Sequence, residues 1–290
     1  METQAFTFVA SRFVPVAIGF FGLGTGYFIW RHPENLCSIK KIRRTFMTKS
    51  TCRSLVRSLL AFAVSVFAAT SWAQTRPPTL EKVAKAYGLD SWTQIEAIRY
   101  TWNKAVPGGN VAHSWEWEPK TGKITYEGKN KDGKPVKVTY MSSDLKSQSD
   151  MVKNEVEPAF VNDNYWLLFP IHAYWDTSAT VTDEGMQKLP LGKGSAEKVV
   201  VKYPAKLGGY TPGDTWELYV GRDNRVEEFI YRAGGPKKHV VISTWTAYKK
   251  AGPLDISTDH RGTANGKPLR IFISDLAVKV TGSDTWMEAK

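Results

Sequence analysis

The feature that most constrains the fold of this chain is a two-residue alternation of side chains, repeated in short segments from residue 95 onward. In the first segment, Ile98, Tyr100 and Trp102 fall on one side, while Arg99 and Thr101 fall on the other. Successive side chains of a β-strand point to opposite faces, so this spacing predicts strands. Similar segments lie at 113–118, 123–128, 135–140, 197–203, 215–220, 225–232, 239–248, 254–261 and 269–280.

Short stretches rich in Gly, Pro, Asn and Asp separate many of these strands. Turns are predicted at 107–110, 119–122, 131–134, 221–224 and 263–267. The last contains Asn265-Gly266, a pair that supplies the positive φ angles a tight hairpin needs. Sequential hairpins build an antiparallel sheet. Because the sequence has no repeat of fixed length and no low-complexity linker, we expect one mainly β (α+β) domain over residues 74–290.

Two segments depart from the strand pattern. Residues 79–87 have apolar side chains at helical spacing, with Thr79 placed to cap the helix and Gly88 to end it. Residues 165–175 are the most apolar and aromatic stretch after residue 74, and Pro170 interrupts them. This second segment is too short to span a membrane, so it fits a helix or irregular segment that lies across the sheet.

Residues 47–73 have the features of a secretory signal peptide inside the chain. Lys49, Arg53 and Arg57 form a positive start, residues 59–69 form a short apolar core, and Ser71-Trp72-Ala73 offers small residues at the cut. We therefore expect cleavage between Ala73 and Gln74 and a periplasmic or secreted product. A buried core helix is the alternative.

Residues 1–46 are open to two interpretations. Residues 13–30 carry no charge and approach spanning length, so they are either a transmembrane helix or part of a start assigned too early, with Met47 as the true initiator. The second is favoured because a complete signal at an internal Met would otherwise be a coincidence. With the first, the protein would be membrane-anchored.

The charge balance changes once the chain is divided at residue 73. The whole chain has 39 basic and 28 acidic residues, but residues 1–73 hold nine of the former and two of the latter. Residues 74–290 therefore carry 30 and 26, a net charge of only +4, with no long basic block. This balance argues against nucleic-acid binding. Both cysteines, Cys37 and Cys52, also precede the cut, so the mature part has no thiol.

The C-terminal strands carry a family resemblance. Residues 216–232 read Trp-Glu-Leu-Tyr-Val-Gly-Arg-Asp-Asn-Arg-Val-Glu-Glu-Phe-Ile-Tyr-Arg, a strand, a turn and a strand. With residues 239–248 and the hairpin from Asn265-Gly266-Lys267-Pro268 to 272–276, they resemble periplasmic lipoprotein carriers of the LolA/LolB type. The resemblance covers residues 79–280. It implies a strongly curved antiparallel sheet, an open half-barrel with a few covering helices, whose apolar cavity holds acyl chains.

Aromatic side chains are the main candidates for a ligand site. Nine of the eleven Trp follow residue 73, and several share a strand face or the mid-chain segment. Ligand pockets are concave and mostly apolar or aromatic, although ordinary core packing is the alternative explanation. The predicted ligand-binding residues are Trp102, Trp115, Trp117, Trp166, Phe169, His172 and Trp175.

No motif for catalysis, metal binding or a cofactor is evident in the sequence. His113 and Glu116 face opposite sides of one strand, as do Glu227 and Glu228, so neither pair forms a site. His239, His260 and Asp214 likewise fit solvated or structural roles. His172 is the best titratable candidate, because burial in the aromatic segment would shift its pKa.

These observations favour an exported, non-enzymatic protein that binds an apolar ligand such as an acyl chain, a lipid or a lipoprotein in the concave face of its sheet. The expected partner is an apolar small molecule or an acylated protein, with transient membrane contact. The alternatives are an exported hydrolase acting around His172 and a structural or interaction module without a ligand.

The signal peptide leads to a direct prediction. When the full chain is expressed in a bacterium, the exported protein should begin at Gln74, because the small residues at 71 and 73 suit signal peptidase. N-terminal sequencing and intact-mass measurement check this result. Replacing Ala73 with a bulky residue should block the cut, and an uncleaved wild-type chain would contradict the prediction.

Overall fold

The computed structural model describes residues 76–206, 212–235 and 238–290. The predicted signal peptide at 47–73 and the apolar segment at 13–30 lie outside the described residues. The described part of the chain belongs to one compact unit.

Thirteen antiparallel strands of the described residues form one sheet. They are β1 (Ile95–Val106), β2 (Gly109–Glu118), β3 (Lys123–Lys129), β4 (Pro135–Met141), β5 (Thr180–Lys188), β6 (Ser195–Lys202), β7 (Thr215–Val220), β8 (Val226–Arg232), β9 (Val240–Thr244), β10 (Thr246–Ala251), β11 (Leu254–Ala264), β12 (Lys267–Val280) and β13 (Met287–Glu288). The spatial order is β4-β3-β2-β1-β12-β11-β9-β8-β7-β6-β5, with β10 added to β11 and β13 to β12. Strands β4 and β5 therefore form the two ends of this order.

Among the described residues, two α-helices and three shorter helical segments accompany the sheet. The α-helices are α1 (Pro78–Ala86) and α2 (Glu157–Trp175), and the shorter segments are Leu89–Gln94, Ser142–Ser147 and Val152–Val156. Of the helices that the structure describes, none has the length and apolar character needed to cross a membrane. The predicted fold class, a curved antiparallel sheet forming an open half-barrel with a few covering helices, is confirmed.

The curvature of the sheet has a local origin in β-bulges. The pairing of β1 with β12 shifts register between Arg99 and Thr101, and Asp275 in the opposing strand has a φ of 52°. Register shifts also occur between Asp183 and Met186 in β5 and at the end of β7. Because a bulge adds a residue to one strand only, it bends that strand and increases the local twist.

The hairpin turns lie where the sequence predicts them. Asn265 and Gly266 have φ angles of 49° and 78°, and they join β11 to β12. Asn224 and Gly133 have φ angles of 61° and 78° in the turns at 221–224 and 131–134. Asparagine tolerates the left-handed conformation, and glycine adopts it freely because it has no side chain. The local sequence therefore determines where the chain reverses.

Two strand predictions need correction. Strand β5 was not predicted, because Asp183, Glu184 and Gly185 interrupt its alternation at the bulge and most of the strand is exposed. The single strand predicted at 239–248 is divided into β9 and β10 at Trp245. The positive φ of 54° at Ala247 accompanies that break.

Helix α2 lies against the concave side of the sheet. Its Trp166 contacts Trp216 of β7 and Phe229 of β8, with ring centroids 5.6 and 5.4 Å apart. Phe169 stacks on Trp216 at 4.0 Å. Leu168 departs from helical geometry, with φ −128° and ψ 20°. Pro170 explains this kink, because proline removes a backbone donor and clashes with the preceding turn.

His260 of β11 lies in this core with no exposed surface. Its ring is 4.2 Å from Trp245 and 6.2 Å from Trp166, centroid to centroid. Burial lowers the pKa of His260 to about 4, since the charged imidazolium loses its hydration in the core. The neutral ring is therefore the form that the fold accepts.

Acid should consequently destabilise the protein through His260. An unfolded histidine gains its proton near pH 6.5, whereas folded His260 gains it only near pH 4, so the free energy of unfolding falls between these values. The expected slope from this residue is about 1.4 kcal/mol per pH unit. Urea unfolding at pH 7, 6 and 5 measures it. His260→Phe keeps a buried ring and should flatten the dependence by that amount; an unchanged slope would contradict the assignment.

Candidate functional site

A large cavity lies between the N-terminal half of α2 and the concave face of the sheet. Its volume is about 1880 Å³, above the roughly 300–1,000 Å³ of common small-molecule sites. Residues from three hairpin connections, at 106–110, 129–135 and 264–268, contribute to its lining. The cavity therefore opens where the strand ends reach past the start of the helix.

An aromatic wall forms one side of the cavity. Tyr231 pairs with Trp216 across β8 and β7, and Val241 of β9 continues the same row. Trp102 and Tyr126 extend the aromatic lining on β1 and β3. This row arises from the period-2 pattern, because residues opposite each other in neighbouring strands place their side chains on the same face.

Two indole nitrogens in this wall lack a hydrogen-bond partner. Trp102 is 4% exposed and Trp216 is 2% exposed, and neither Nε1 has a partner among the described residues. A buried polar group without a partner costs free energy, and most buried groups in folded proteins have one. The aromatic wall therefore has two indole N–H donors without a partner next to the cavity.

Asp163 of α2 is the buried polar centre of the cavity. His113 Nδ1 donates to its Oδ2 over 2.7 Å, and Trp115 Nε1 donates to the same oxygen over 2.9 Å. Asn162 Nδ2 donates to Oδ1 over 3.0 Å. These donors compensate for the loss of water around a carboxylate that is fully buried. The network also fixes α2 to β2.

Lys104 of β1 supplies a cation in the cavity wall. It lies two residues after Trp102 on the same strand face, opposite Val111 of β2 and Ile271 of β12. Burial lowers the pKa of Lys104, because the ammonium loses hydration among these apolar neighbours, and the negative charge of Asp163 opposes the shift.

The seven predicted ligand-binding residues fall into three groups by their location relative to the cavity. Trp102 and Trp166 line the cavity. Trp115 and Phe169 lie behind the lining, where Trp115 donates to Asp163 and Phe169 stacks on Trp216. The remaining three, Trp117, His172 and Trp175, are not among the cavity-lining residues.

Those three residues lie towards the other end of α2. Trp175 is 37% exposed and packs on Trp92 at a centroid distance of 4.7 Å, and Trp117 contacts Trp92 at 6.0 Å. His172 stacks on Tyr165 at 4.5 Å, and its Nε2 bonds Asn164 Oδ1 over 2.7 Å. Burial lowers the pKa of His172 to about 3, so the ring is neutral near neutral pH.

The other titratable candidates, Glu227, Glu228 and Asp214, have different hydrogen-bond partners and do not share a site. Glu228 is buried and accepts the Leu191 amide over 2.7 Å, while Glu227 faces solvent on the opposite side of β8. Asp214 accepts the Tyr231 hydroxyl over 2.7 Å, and burial raises the pKa of this carboxyl. Within the described ranges, no group of three or more His, Cys, Asp or Glu side chains could hold a metal ion.

Sequence reasoning missed Lys104 and Asp163. Lys104 carries a usable signal, because it continues the strand face of Tyr100 and Trp102. Asp163 is one of three consecutive polar residues within an otherwise apolar helix. Only the docking of α2 shows that its carboxylate meets His113.

The fold and site define a protein with one curved antiparallel sheet, a helix across its concave face and a cavity between them. No protein-family model matches the chain, and no curated protein matches it. Among solved structures, it is similar to a DUF1329 family protein from Desulfovibrio piger, with 12% identity, a TM-score of 0.40, and coverage of 72% of this chain and 96% of that one. It is also similar to the Mycobacterium tuberculosis lipoprotein LppX, with 9% identity, a TM-score of 0.27, and coverage of 70% and 96%. Neither carries the LolA/LolB name, so that resemblance stays a prediction.

The Asp163 network makes a prediction about stability. Asp163→Ala should lower the free energy of unfolding by about 3 kcal/mol, because His113 and Trp115 lose a buried acceptor and α2 loses its polar link to β2. Urea unfolding followed by tryptophan fluorescence measures the change. Asp284→Ala is the matched control, since the Asp284 side chain is fully exposed. Equal stability of the two variants would show that the network contributes little.

Proposed function

We propose that this protein is an exported, non-enzymatic binding protein that holds the apolar part of a lipid, a free acyl chain or an acylated protein in the cavity beside α2. One observation carries the proposal: a cavity of about 1880 Å³ lies beside an aromatic wall whose Trp102 and Trp216 are otherwise buried. Burial of apolar ligand surface at about 25 cal/mol per Å² drives capture.

The character of the lining supports a chain-like or amphiphilic ligand. Trp102, Tyr126, Trp166, Trp216 and Tyr231 present broad ring surfaces. Such surfaces contact methylene chains without requiring a matched hydrogen-bond pattern. The polar groups near them, Asp163 and His113, are already bonded to each other.

The surroundings of the histidines favour binding over catalysis. His172 bonds an amide oxygen and stacks on a tyrosine, and burial lowers its pKa to about 3. A general base works best with a pKa near the working pH. His260 is enclosed by aromatic rings in the core. Export places the binding event in the periplasm or outside the cell, where transient contact with a membrane would deliver or remove the ligand.

The test is to purify the protein from cells that express the full chain, extract it with organic solvent and identify co-purified lipids by mass spectrometry. A fluorescent long-chain fatty acid then measures binding to the delipidated protein. We expect near-stoichiometric binding. Protein that carries no lipid and does not bind the probe would overturn the proposal.

A cavity-filling variant locates the binding site. Ala264→Trp places a large side chain in the cavity lining and should lower probe affinity at least tenfold. Gln187→Trp is the control, because Gln187 is exposed on β5 outside the lining. Equal affinities of the two variants would place the ligand elsewhere.

A further inference from the structure

The three hairpin connections that contribute to the cavity lining lie at the same end of the sheet. They are residues 106–110, 129–135 and 264–268. The strand register shows their common position, because the end of β1 pairs with the start of β2 and with the first residues of β12. Strand β2 in turn pairs with the end of β3, where Ser114 lies opposite Glu127. These connections therefore lie side by side at the mouth of the cavity, and we call them together the rim.

The rim carries a concentrated positive charge. Its net charge is +3, from four lysines and one aspartate: Lys129, Lys131, Lys134, Lys267 and Asp132. Residues 74–290 as a whole carry only +4. Lys131 pairs with Glu155 at 3.3 Å. The other three lysines are exposed and have no ion-pair partner among the described residues, so their charges attract an anionic surface.

The rim also exposes apolar side chains beside these lysines. Val106 and Val111 are 37% and 39% exposed, and they belong to the hairpin between β1 and β2. They are two of the six large apolar side chains that are exposed in the described part of the chain. Each connection also has an exposed proline in the cavity lining, at Pro107, Pro135 and Pro268. Clustered exposed apolar groups mark a surface that contacts a partner or a membrane.

We propose that the rim docks on an anionic bilayer surface, with its lysines against the lipid head groups and the two valines at the membrane interface. This inference rests on the proposed function and names the membrane partner of the same cavity. Electrostatic attraction and burial of apolar surface both strengthen binding at a bilayer interface, and the rim supplies both.

The position of this surface around the cavity mouth favours a bilayer over an acidic protein. With the rim on the membrane, the mouth of the cavity faces the lipid. An acyl chain then passes between the bilayer and the cavity without exposing its methylene groups to water, which is the unfavourable part of such a transfer. An acidic protein would pair with the lysines, but it would not provide an apolar path for the chain.

The experiment measures binding of the delipidated wild-type protein to vesicles by co-sedimentation. Vesicles of phosphatidylcholine alone are compared with vesicles of phosphatidylcholine and phosphatidylglycerol in equal parts. We expect at least tenfold stronger binding to the anionic vesicles. The preference should weaken as the ionic strength rises from about 0.01 M to about 0.15 M, because the Debye length shortens from about 30 Å to about 8 Å.

Two variants locate the contact surface. The rim variant combines Lys129→Gln, Lys134→Gln and Lys267→Gln. It should bind the anionic vesicles at least tenfold more weakly, because each lysine near such a surface strengthens binding about fivefold. Val106→Ser with Val111→Ser should weaken binding severalfold and leave the salt dependence in place, since it removes apolar contact and no charge.

The matched control for the rim variant combines Lys188→Gln, Lys249→Gln and Lys250→Gln. These lysines are exposed on β5 and β10, lie outside the cavity lining and change the net charge by the same amount. The control should bind vesicles like the wild type. An equal loss of binding in the control and the rim variant would mean that overall charge is responsible, and the inference would be wrong.

The remaining outcomes separate the two proposals. Equal binding of the wild type to neutral and anionic vesicles overturns the inference. Absence of vesicle binding together with retention on immobilised poly-glutamate overturns it in favour of an acidic protein partner. The proposed function is measured independently, by the fatty-acid probe in the absence of vesicles. Failure of the wild type to bind that probe overturns the proposed function, whereas the vesicle results alone do not.

Discussion

The structure depends on one packing requirement. A single helix, α2, must cover the concave face of a strongly curved sheet. The helix does so with different chemistry on its two sides. Towards β2 it uses Asp163, bonded to His113 and Trp115. Towards β7 and β8 it uses Trp166 and Phe169, which pack on aromatic rings. The helix is thereby fixed to strands that are distant from each other in the spatial order of the sheet.

The cavity follows from the same arrangement. Only the first half of α2, together with the turn before it, contributes to the lining, while its second half packs into the core. Long strands such as β1 and β12 continue beyond the helix, with 12 and 14 residues. Their apolar faces remain uncovered there, and the hairpin connections surround the resulting space.

Much of the architecture is predictable from local sequence. The alternation around Tyr100 and the Asn265-Gly266 turn depend on short-range geometry, and both predictions were confirmed by the strands and φ angles. Strand β5 escaped prediction because a bulge disrupts its alternation at Asp183. Its stability comes from pairing with β6, which the sequence of β5 alone does not reveal.

The site was less predictable, because it depends on which residues meet when α2 docks. Aromatic content pointed to Trp102 and Trp166, which line the cavity, and equally to Trp175, which does not. The prediction of the site gave little weight to charged residues within apolar segments. Asp163 acquires its role from burial and from a partner 50 residues away, and no short sequence window contains that information.

The ends of the sheet have a consequence for capacity. In the described part of the chain, β4 and β5 end the strand order and no ladder joins them. A closed barrel has a circumference fixed by its hydrogen-bond register, whereas an open wall can widen through small adjustments of side-chain packing. Under the proposed binding function, the width of a ligand is therefore a weak criterion for its binding.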